Sequence, residues 1–446
     1  MKNTARFRGA KALTVGMSIL LASACASGSA GSGGNAASGG GAANSDCAEG
    51  DGPITVGHLN YYTGPFSDVG PFFEASVDLM IENINENPPL DRELEASHDD
   101  IGTVGEAQVA RGFLEQDDVD ILLNPAHEYS SYREFAQDYV SENDQPLMPS
   151  LHGGSIPADI GGTAEEPIFR GQAQDTAQAI AGVLQAREAG AQSIAIVATQ
   201  IAGSQLQKDA AVAAAEEIGL EVSEVIDVQP EQPNYRSTIS TIADAAPDAL
   251  LLFSQAEDGG TMVKQAAEAG LSLTIIGSTE WLQEAFPQAA TQSALDQHEA
   301  VWIAGLGTAD SPAMEAWTEL WEGSDATQYA DASNSYAYGY YDLLNVTALA
   351  IEAAGSVCAS DWAEAMPEVT SGGTVVHTYQ EGIEALRNDE DIDYNGVSGD
   401  YAFTETGVVG SLFGVYEWAG DSLEQVSTLD ENEVLELDTK VAESAE

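Results

Sequence analysis

Short apolar runs alternate with helical patterns along most of this chain, and this alternation constrains the fold more than any other feature. Nearly continuous runs such as Val119–Asn124 and Ser193–Thr199 are typical of strands that lie buried on both faces of a parallel sheet. The segments between these runs repeat apolar residues at helical spacing. The sequence therefore predicts an α/β fold built from two doubly wound parallel-sheet lobes.

The stretch Ile54–Ile84 predicts the first strand, turn and helix. The Thr-Gly-Pro turn at 63–65 ends the strand, because glycine tolerates positive φ and proline fixes φ. A helix follows from near Pro71, with Phe73 on its buried face. Ligands of open α/β folds usually bind at the carboxyl ends of strands, so this turn is a candidate wall of a binding site.

Two series of strand and helix units follow each other, the first ending near Arg170. The predicted strands are Leu94–His98, Val119–Asn124, Pro146–Leu151, Ser193–Thr199, Glu221–Val228, Ala249–Phe253 and Leu273–Ile276. The predicted helices are Thr103–Glu115, Tyr132–Asn143, Asp175–Ala189, Ser204–Ile218, Tyr235–Ala245 and Asp258–Ala269.

From Ala300 the pattern changes to longer helices and a β-rich closing segment. The predicted elements are a strand at Val301–Leu306, helices at Ala313–Trp321, Ala332–Ala354 and Asp361–Val369, and β structure within Tyr401–Trp418. The aromatic run Ser335–Tyr341 favours packing in the core or between lobes. After Leu429 we expect the acidic tail to fray.

The first 24 residues predict an export signal. Basic residues at positions 2, 6, 8 and 11 precede an apolar run at 12–24 that is too short for a membrane span. Residues 21–25, Leu-Ala-Ser-Ala-Cys, resemble a bacterial lipobox, which predicts a lipidated Cys25 anchored to the outer face of the cell membrane. The small residues before Cys25 also fit plain secretion or a periplasmic location. Residues 25–52, rich in glycine and serine, predict a flexible tether.

The charge of the chain excludes several partner classes. It carries 73 acidic and 14 basic side chains, for a formal net charge of -59. Nucleic acids and anionic lipid surfaces are poor partners, because both need clustered Lys and Arg. The composition favours a halophilic acidic protein, whose solvated surface is screened by high salt.

Cysteine usage fits an exported chain. If Cys25 is lipidated, Cys47 and Cys358 remain as an even pair in an oxidising compartment, which favours a disulfide between them. Two free thiols are the alternative, since pairing requires that both residues lie in the same lobe.

The sequence lacks the motifs that would support an enzyme. We find no nucleophile elbow, P-loop or complete dinucleotide-binding fingerprint. His127-Glu128 and His298-Glu299 each lack the second histidine of a zinc protease motif. We therefore expect no catalysis, no cofactor and no metal site, and an extracellular hydrolase is the less favoured alternative.

Five short segments occur in a characteristic order and spacing. They are Ile54-Thr-Val with the turn at 63–65, Ser-Ile-Ala-Ile-Val from 193, Asn234-Tyr235, Pro247-Asp248-Ala249, and Asp-Tyr-Asn-Gly-Val-Ser-Gly at 393–399. Together they resemble the leucine/isoleucine/valine-binding family, which comprises extracytoplasmic solute receptors of ABC transporters. The likeness runs from about Pro53 to Trp418.

The resemblance implies a type I periplasmic-binding fold, in which a three-strand hinge joins the two lobes. It places 53–171 and 305–397 in the amino-terminal lobe and 172–304 and 398–430 in the carboxy-terminal lobe. Residues 431–446 remain as the acidic tail.

The resemblance also implies residues that bind a ligand. The matched residues are Ser130, Ser131, Gly153, Gly154, Ser155 and Glu280. The serines and the glycine-rich loop would donate to a ligand carboxylate, and the glutamate would accept from a ligand ammonium. Without the resemblance, the serines fit helix capping equally well, and the glutamate fits a first-turn acid favoured by the helix dipole.

Three positions depart from aromatic residues that are common in the family. They are Val69, Ala202 in the loop Ile201-Ala202-Gly203, and Gln255. The lost rings widen or repolarise the pocket, so a branched-chain ligand is not assumed. Other walls are expected from Tyr61, Tyr62, Phe66 and Trp281, with core packing as the alternative role.

The resemblance implies a function without a chemical step. We expect the lobes to close on an amino acid or a related small polar solute, which the receptor then presents to ABC permease subunits in the membrane. A ligand-sensing receptor domain of the same fold is the alternative.

Overall fold

The structure follows the predicted alternation of strands and helices. The computed structural model describes residues 47, 50, 52–64, 66–67, 69–151, 156–157, 160–308, 311–420 and 422–444. The predicted export signal, Cys25 and the tether up to residue 46 lie outside the described residues.

Fifteen strands and fifteen α-helices make up the described chain. The strands are β1 Ile54–Asn60, β2 Leu94–Asp100, β3 Ile121–Leu123, β4 Met148–Ser150, β5 Ile168–Arg170, β6 Ser193–Thr199, β7 Glu221–Val228, β8 Ala249–Phe253, β9 Thr274–Gly277, β10 Ala300–Leu306, β11 Thr374–Val376, β12 Ile392–Gly396, β13 Gly399–Asp400, β14 Phe413–Ala419 and β15 Ser422–Thr428. The helices are α1 Gly70–Asn85, α2 Ile101–Val104, α3 Glu106–Gly112, α4 Tyr129–Asn143, α5 Asp175–Glu188, α6 Ala202–Ile218, α7 Arg236–Ala245, α8 Ala256–Glu268, α9 Ala285–Ala290, α10 Gln292–Leu295, α11 Pro312–Glu322, α12 Ser335–Ala354, α13 Ala359–Glu368, α14 Tyr379–Arg387 and α15 Glu431–Ser444.

The first lobe is built on short parallel strands. Strand β1 lies between β2 and β3, and both pairings are parallel. Backbone hydrogen bonds of 2.9 Å from Leu122 N to Leu147 O and 2.8 Å from Asn124 N to Pro149 O extend the sheet to β4. Strand β4 pairs in parallel with β5. The buried helix α12 packs beside α1 and covers this lobe.

The second lobe holds a seven-stranded sheet in the order β15-β14-β10-β9-β8-β6-β7. The five strands from β10 to β7 run in parallel, whereas β14 and β15 are antiparallel additions at one edge. The inner strands β6 and β8 are almost wholly buried, because helices cover both faces of the sheet.

Three crossovers join the lobes. The chain leaves the first core after Phe169, returns to it before Ala313 and leaves it again after Val409. The crossovers bond to one another, since Arg170 N donates to Gly407 O at 2.6 Å and Gly307 N donates to Leu412 O at 2.7 Å. This arrangement is the three-strand hinge that the resemblance implies. The prediction places the third crossover after residue 397. In the structure the first core also contains Tyr401 and Val409, so this crossover follows Val409.

A disulfide links the beginning of the described chain to the first lobe. Cys47 and Cys358 are bonded with a Cα–Cα distance of 5.2 Å, and both side chains are buried in the first core. The carboxylate of Asp144 lies close to the two sulfur atoms, but because they are bonded to each other they do not form a metal site.

Two predicted segments differ from the structure. The helix expected at Thr103–Glu115 is divided at Gly105, whose φ of +94° lies outside the helical region, and it ends in a π-helical turn at Phe113–Asp117. The tail expected to fray after Leu429 instead forms α15, because Val434 and Leu437 bury against the second core. Among the described residues, no single helix has the length and apolar composition of a membrane span, although the bent pair α12 and α13 meets that test by length and composition alone.

Candidate functional site

A cavity of about 90 Å³ lies between the lobes, at the carboxyl ends of their strands. Tyr61 follows β1 on one side, and Ile201, Gln255 and Thr279 follow β6, β8 and β9 on the other. Ligands of open α/β folds bind at such strand ends. The volume is far below the roughly 300–1,000 Å³ of pockets for drug-sized ligands, so the cavity suits a small solute.

Aromatic rings form the wall on the side of the first lobe. Tyr61 and Phe66 have ring centroids 5.3 Å apart, and Phe66 stacks on His127 at 5.5 Å with an interplanar angle of 17°. Phe73 and Tyr336 line the same wall, with ring centroids 5.7 Å apart. This wall offers flat apolar surface with polar edges.

The first loop is held in place by Asp100, at the end of β2. Its carboxylate accepts hydrogen bonds from the backbone N–H groups of Tyr62 and Thr63, at 2.9 and 3.1 Å, and from the Thr63 hydroxyl at 2.5 Å. Helix α1 then starts directly against this loop, because a Cβ atom on Gly70 would lie 1.9 Å from the carbonyl oxygen of Tyr61. Asp100 and Gly70 therefore fix the backbone of the loop that carries Tyr61.

Two carboxyl groups of the second lobe face the cavity. Asp175 is the first residue of α5, and Glu280 lies in the 3₁₀ turn Thr279–Leu282 after β9. Both are partly exposed to the cleft. Among the described residues, neither forms an ion pair with Lys, Arg or His.

The protein desolvates both groups, although solvent reaches part of each through the cleft. Burial, and to a smaller extent the nearby charge of Glu280, raises the pKa of Asp175 to about 7. Burial also raises the pKa of Glu280, and the hydroxyl of Ser278, which donates a hydrogen bond to this carboxylate, opposes that shift. No described Lys or Arg lines the cavity, so a proton or a bound cation must compensate the negative charge of these two groups.

Trp281 supports the turn that carries Glu280 and does not line the cavity. The indole is fully buried and stacks on Phe286 with ring centroids 4.3 Å apart. A Cβ atom on Gly277 would lie 2.2 Å from this indole, so glycine at the end of β9 leaves the space that the ring fills. For Trp281, core packing is therefore the role that the structure shows.

Gln178 lies one helical turn after Asp175 and also lines the cavity. Only 8% of Gln178 is exposed, and its Nε2 lies 3.5 Å from Asp175 Oδ1. Its Oε1 has no hydrogen-bond partner among the described residues. Gly203 at the start of α6 leaves room for this pair, since a Cβ atom there would lie 2.8 Å from Asp175 Oδ2.

A third carboxylate, that of Glu106, closes the loop between β3 and α4. Glu106 is buried and accepts hydrogen bonds from the backbone N–H groups of Ala126 and Glu128, at 2.8 and 2.9 Å, and from the Tyr132 hydroxyl at 2.7 Å. Burial raises the pKa of Glu106, while these donors lower it. The carboxylate fixes the loop that carries His127.

The predicted site residues fall into three groups. Those that line the cavity are Tyr61, Phe66, Val69, Gln255 and Glu280. Ser130 and Ser131 are exposed in the first turn of α4, and Ala202 lies between the lining residues Ile201 and Gly203. The loop residues Gly153, Gly154 and Ser155 lie outside the described residues.

Sequence reasoning missed Asp175, Gln178, His127 and Tyr336. In the sequence His127 belongs to an incomplete zinc motif, and Tyr336 to an aromatic run for which packing is expected. The spacing of Asp175 and Gln178 was the available signal, because residues three apart in a helix share one face. In a chain with 73 acidic side chains, that signal did not single out Asp175.

Two α/β lobes joined by three crossovers around a polar cleft define the type I periplasmic-binding fold. A family model described as periplasmic binding protein matches residues 53–410. This chain therefore belongs to the periplasmic binding protein family, and the resemblance to the leucine/isoleucine/valine-binding family is confirmed. No protein of curated function matches the sequence significantly.

Solved structures with the same fold include receptors for different solutes. A leucine-binding protein from Thermotoga maritima has a TM-score of 0.65 and 16% identity, covering 85% of this chain and 99% of its own. A solute-binding protein from R. palustris in complex with benzoate has a TM-score of 0.65 and 16% identity, covering 84% and 96%. A fatty acid ABC transporter substrate-binding protein from Thermomonospora curvata has a TM-score of 0.64 and 16% identity, covering 88% and 96%. At these identities the likeness shows the fold, and the ligand must be argued from the cavity.

Proposed function

We propose that this protein is the extracytoplasmic solute-binding component of an ABC importer, and that it captures an amino acid or a related small polar solute. The observation that carries the proposal is a small cavity whose walls come from both lobes, with aromatic rings on one side and carboxyl and amide groups on the other. A solute that contacts both walls binds the closed form more tightly than the open form.

The energetics of closure fit such a solute. Moving an equilibrium between open and closed forms from 1:99 to 99:1 requires about 5.5 kcal/mol of differential affinity. Two or three charge-assisted hydrogen bonds, at roughly 1.5–3 kcal/mol each, supply that amount. Glu280 is the proposed acceptor for a ligand ammonium, and Ser130, Ser131 and the loop at 153–155 are proposed donors for its other end. No chemical step is required, so we propose no enzymatic activity.

The proposed partners are the permease subunits of the importer. Lipidation of Cys25 would hold the receptor at the outer face of the membrane, within reach of these subunits. Mass spectrometry of the membrane-associated protein would test the anchor, and an unmodified mature chain released into the medium would contradict it.

A thermal-shift screen in high salt would test the proposed function. The panel comprises amino acids, amides, urea and short polyols. Because a solute that binds only the native state stabilises it, at least one chemical class should raise the unfolding midpoint in a concentration-dependent way. If no panel member shifted the midpoint at millimolar concentration, the proposed function would be contradicted.

The role of Glu280 can be tested with a matched pair of variants. Glu280→Gln removes one charge from the cavity, and we expect it to weaken binding of an amino-bearing solute about tenfold or more. Glu284→Gln makes the same chemical change on an exposed residue that does not line the cavity. Isothermal titration should show normal affinity for the Glu284 variant, and equal affinities for both variants would remove Glu280 from the site.

A further inference from the structure

The described cavity wall carries charge of one sign. Asp175 and Glu280 both face the space, and no described Lys or Arg lines it. Both groups act electrostatically on Tyr336, since burial and the charges of Glu280 and Asp175 together raise the pKa of its hydroxyl. Two carboxylates sharing a cavity of about 90 Å³ repel each other unless a cation or a proton compensates them.

An unsatisfied acceptor lies beside these carboxylates. Gln178 is only 8% exposed, lines the cavity, and has no described partner for its Oε1 atom. The amide Nε2 lies 3.5 Å from Asp175 Oδ1, an orientation that keeps the amide oxygen away from the ionised carboxylate. Buried polar groups are nearly always hydrogen-bonded, so this acceptor points to a donor that enters with the ligand.

The backbone donors on either side of His127, which lines the cavity, are occupied. The N–H groups of Ala126 and Glu128, ahead of α4, bind the carboxylate of Glu106. A ligand carboxylate would have to displace this buried internal anion to use them. These two N–H groups are therefore not free to bind an anion while Glu106 accepts from them.

We infer that the cleft binds a small organic cation with at least two N–H-bearing nitrogens, such as a diamine or a guanidinium compound, between Asp175, Glu280 and the carbonyl of Gln178. The inference rests on the proposed solute-receptor function and narrows its solute class. Ammonium and guanidinium groups donate several hydrogen bonds each and compensate the two charges directly. The aromatic wall of Tyr61, Phe66 and Tyr336 then covers the alkyl or planar part of the solute.

Other solutes fit these contacts less well. A neutral α-amino acid brings one ammonium and one carboxylate, so it compensates one charge and adds another of the sign already present. A quaternary ammonium has no N–H to give to Gln178. Benzoate and fatty acids, which are bound by other proteins of this fold, are anions and would be repelled by Asp175 and Glu280.

The test is isothermal titration of the full-length mature protein in about 1 M NaCl at about pH 8, with a defined series of probes. The cationic probes are 1,3-diaminopropane, putrescine, agmatine and arginine, and the comparison probes are isoleucine, choline and benzoate. We expect at least one cationic probe to bind with a stoichiometry near one and at least tenfold more tightly than any comparison probe. Choline separates the need for charge from the need for N–H donors.

Two matched pairs of variants assign the effect to the cavity. Asp175→Asn and Glu280→Gln should each weaken the best cationic probe about tenfold or more, whereas Asp244→Asn and Glu284→Gln, at exposed positions outside the cavity, should not. Gln178→Leu should weaken the binding of probes that carry N–H donors and leave the affinity for choline unchanged. Urea unfolding of each variant verifies that the fold is retained.

The outcomes separate the inference from the function on which it rests. If isoleucine or benzoate binds stoichiometrically and no cationic probe does, the inference is overturned and the solute-receptor function stands. Tight cation binding that Asp175→Asn leaves unchanged also overturns it. If neither these probes nor the wider solute panel bind, both the inference and the proposed function fail.

Discussion

The carboxyl group of Asp175, a proposed binding group, lowers the stability of the solute-free protein as it ionises. An ordinary aspartate has a pKa of 3.8, whereas burial and the charge of Glu280 raise the pKa of Asp175 to about 7. Between these two values the folded protein holds a proton that the unfolded chain has lost. The contribution of Asp175 to stability is therefore greatest below about pH 4 and falls as the pH rises to about 7.

This linkage predicts that Asp175→Asn stabilises the solute-free protein above neutral pH. At about pH 8 we expect the free energy of unfolding to rise by about 1–3 kcal/mol, because the neutral amide needs no compensation in the cavity. At about pH 4 the difference should vanish, since the carboxyl is protonated in the folded protein. Urea titrations at both pH values would measure it.

Other ionisable groups lie close to Asp175. Glu280 and Tyr336 share the cavity, and Asp438 on α15 lies against the neighbouring Thr176, which donates to it. Asp244→Asn, on the exposed surface of α7, is the matched control and should change stability equally at both pH values. An Asp175 variant less stable than the native chain at pH 8 would show that its carboxylate is stabilising.

At this scale the sequence predicted only part of the site. Glu280, Tyr61 and Phe66 could be found because each follows a strand end that the resemblance aligns with known receptors. Asp175 and Gln178 could not, because they lie on a helix after a crossover, and only the arrangement of the two lobes places them opposite the rings. The lack of a described hydrogen-bond partner for Gln178 Oε1 depends on how the side chains pack, which a local sequence pattern cannot predict.

Among the elements, α15 differs most from the expectation drawn from its sequence. The helix carries a strongly acidic surface, but Val434 and Leu437 are buried against the second core. The carboxylate of Glu433 accepts hydrogen bonds from Nη1 and Nη2 of Arg187, at 2.7 and 2.9 Å. The ion pair is half-exposed and adds little, so the apolar contacts hold the helix. Val434 and Leu437 follow the i, i+3 apolar spacing of an amphipathic helix, but the many acidic residues around them favoured the prediction of a frayed tail.

The docking of α15 can be tested with two leucines that differ in burial. Leu437 is 4% exposed and Leu435 is 47% exposed. We expect Leu437→Ala to lower the free energy of unfolding by about 2–3 kcal/mol, because it leaves a cavity in the second core. The change for Leu435→Ala should stay within about 0.5 kcal/mol. Chemical denaturation of both variants decides the matter, and equal small effects would mean that the helix is undocked in solution.

The agreement for other elements follows from burial on two faces. The bounds of β6 and β8 were predicted residue for residue, since buried apolar runs bounded by polar residues leave little freedom for the ends of a strand. The division of Thr103–Glu115 was not predicted, because an isolated glycine is tolerated in helices and its φ depends on contacts far along the chain. Gly105 lies beside Glu128, and the loop that Glu106 organises sets its conformation.

For the whole molecule, the two-lobed architecture could be expected from two series of βα units, whereas the cleft between the lobes could not. The cleft exists because three crossovers, including Gly307 and Arg170, bond to one another and hold the strand ends of both lobes face to face. The relative placement of the lobes was predicted only from the resemblance of the segment order to known receptors. Local patterns alone predict two sheets and leave their relative placement open.

The net charge makes a prediction for the whole molecule. With 73 acidic and 14 basic side chains, most carboxylates cannot have a basic partner, and their mutual repulsion opposes the compact state. Raising the NaCl concentration from about 0.1 to 1 M shortens the Debye length from about 10 to 3 Å. We therefore expect the thermal unfolding midpoint at pH 7 to rise steeply over this range and then to level off.

Acid pH provides the control, because protonation removes the repulsion that salt would otherwise screen. At about pH 4 many carboxyls are neutral, so the same increase in NaCl should shift the midpoint much less than at pH 7. Stabilisation by exclusion of salt from the protein surface would instead grow with concentration at both pH values. Equal slopes at pH 4 and pH 7 would thus assign the salt effect to exclusion, and the acidic surface would then not be what makes the fold depend on salt.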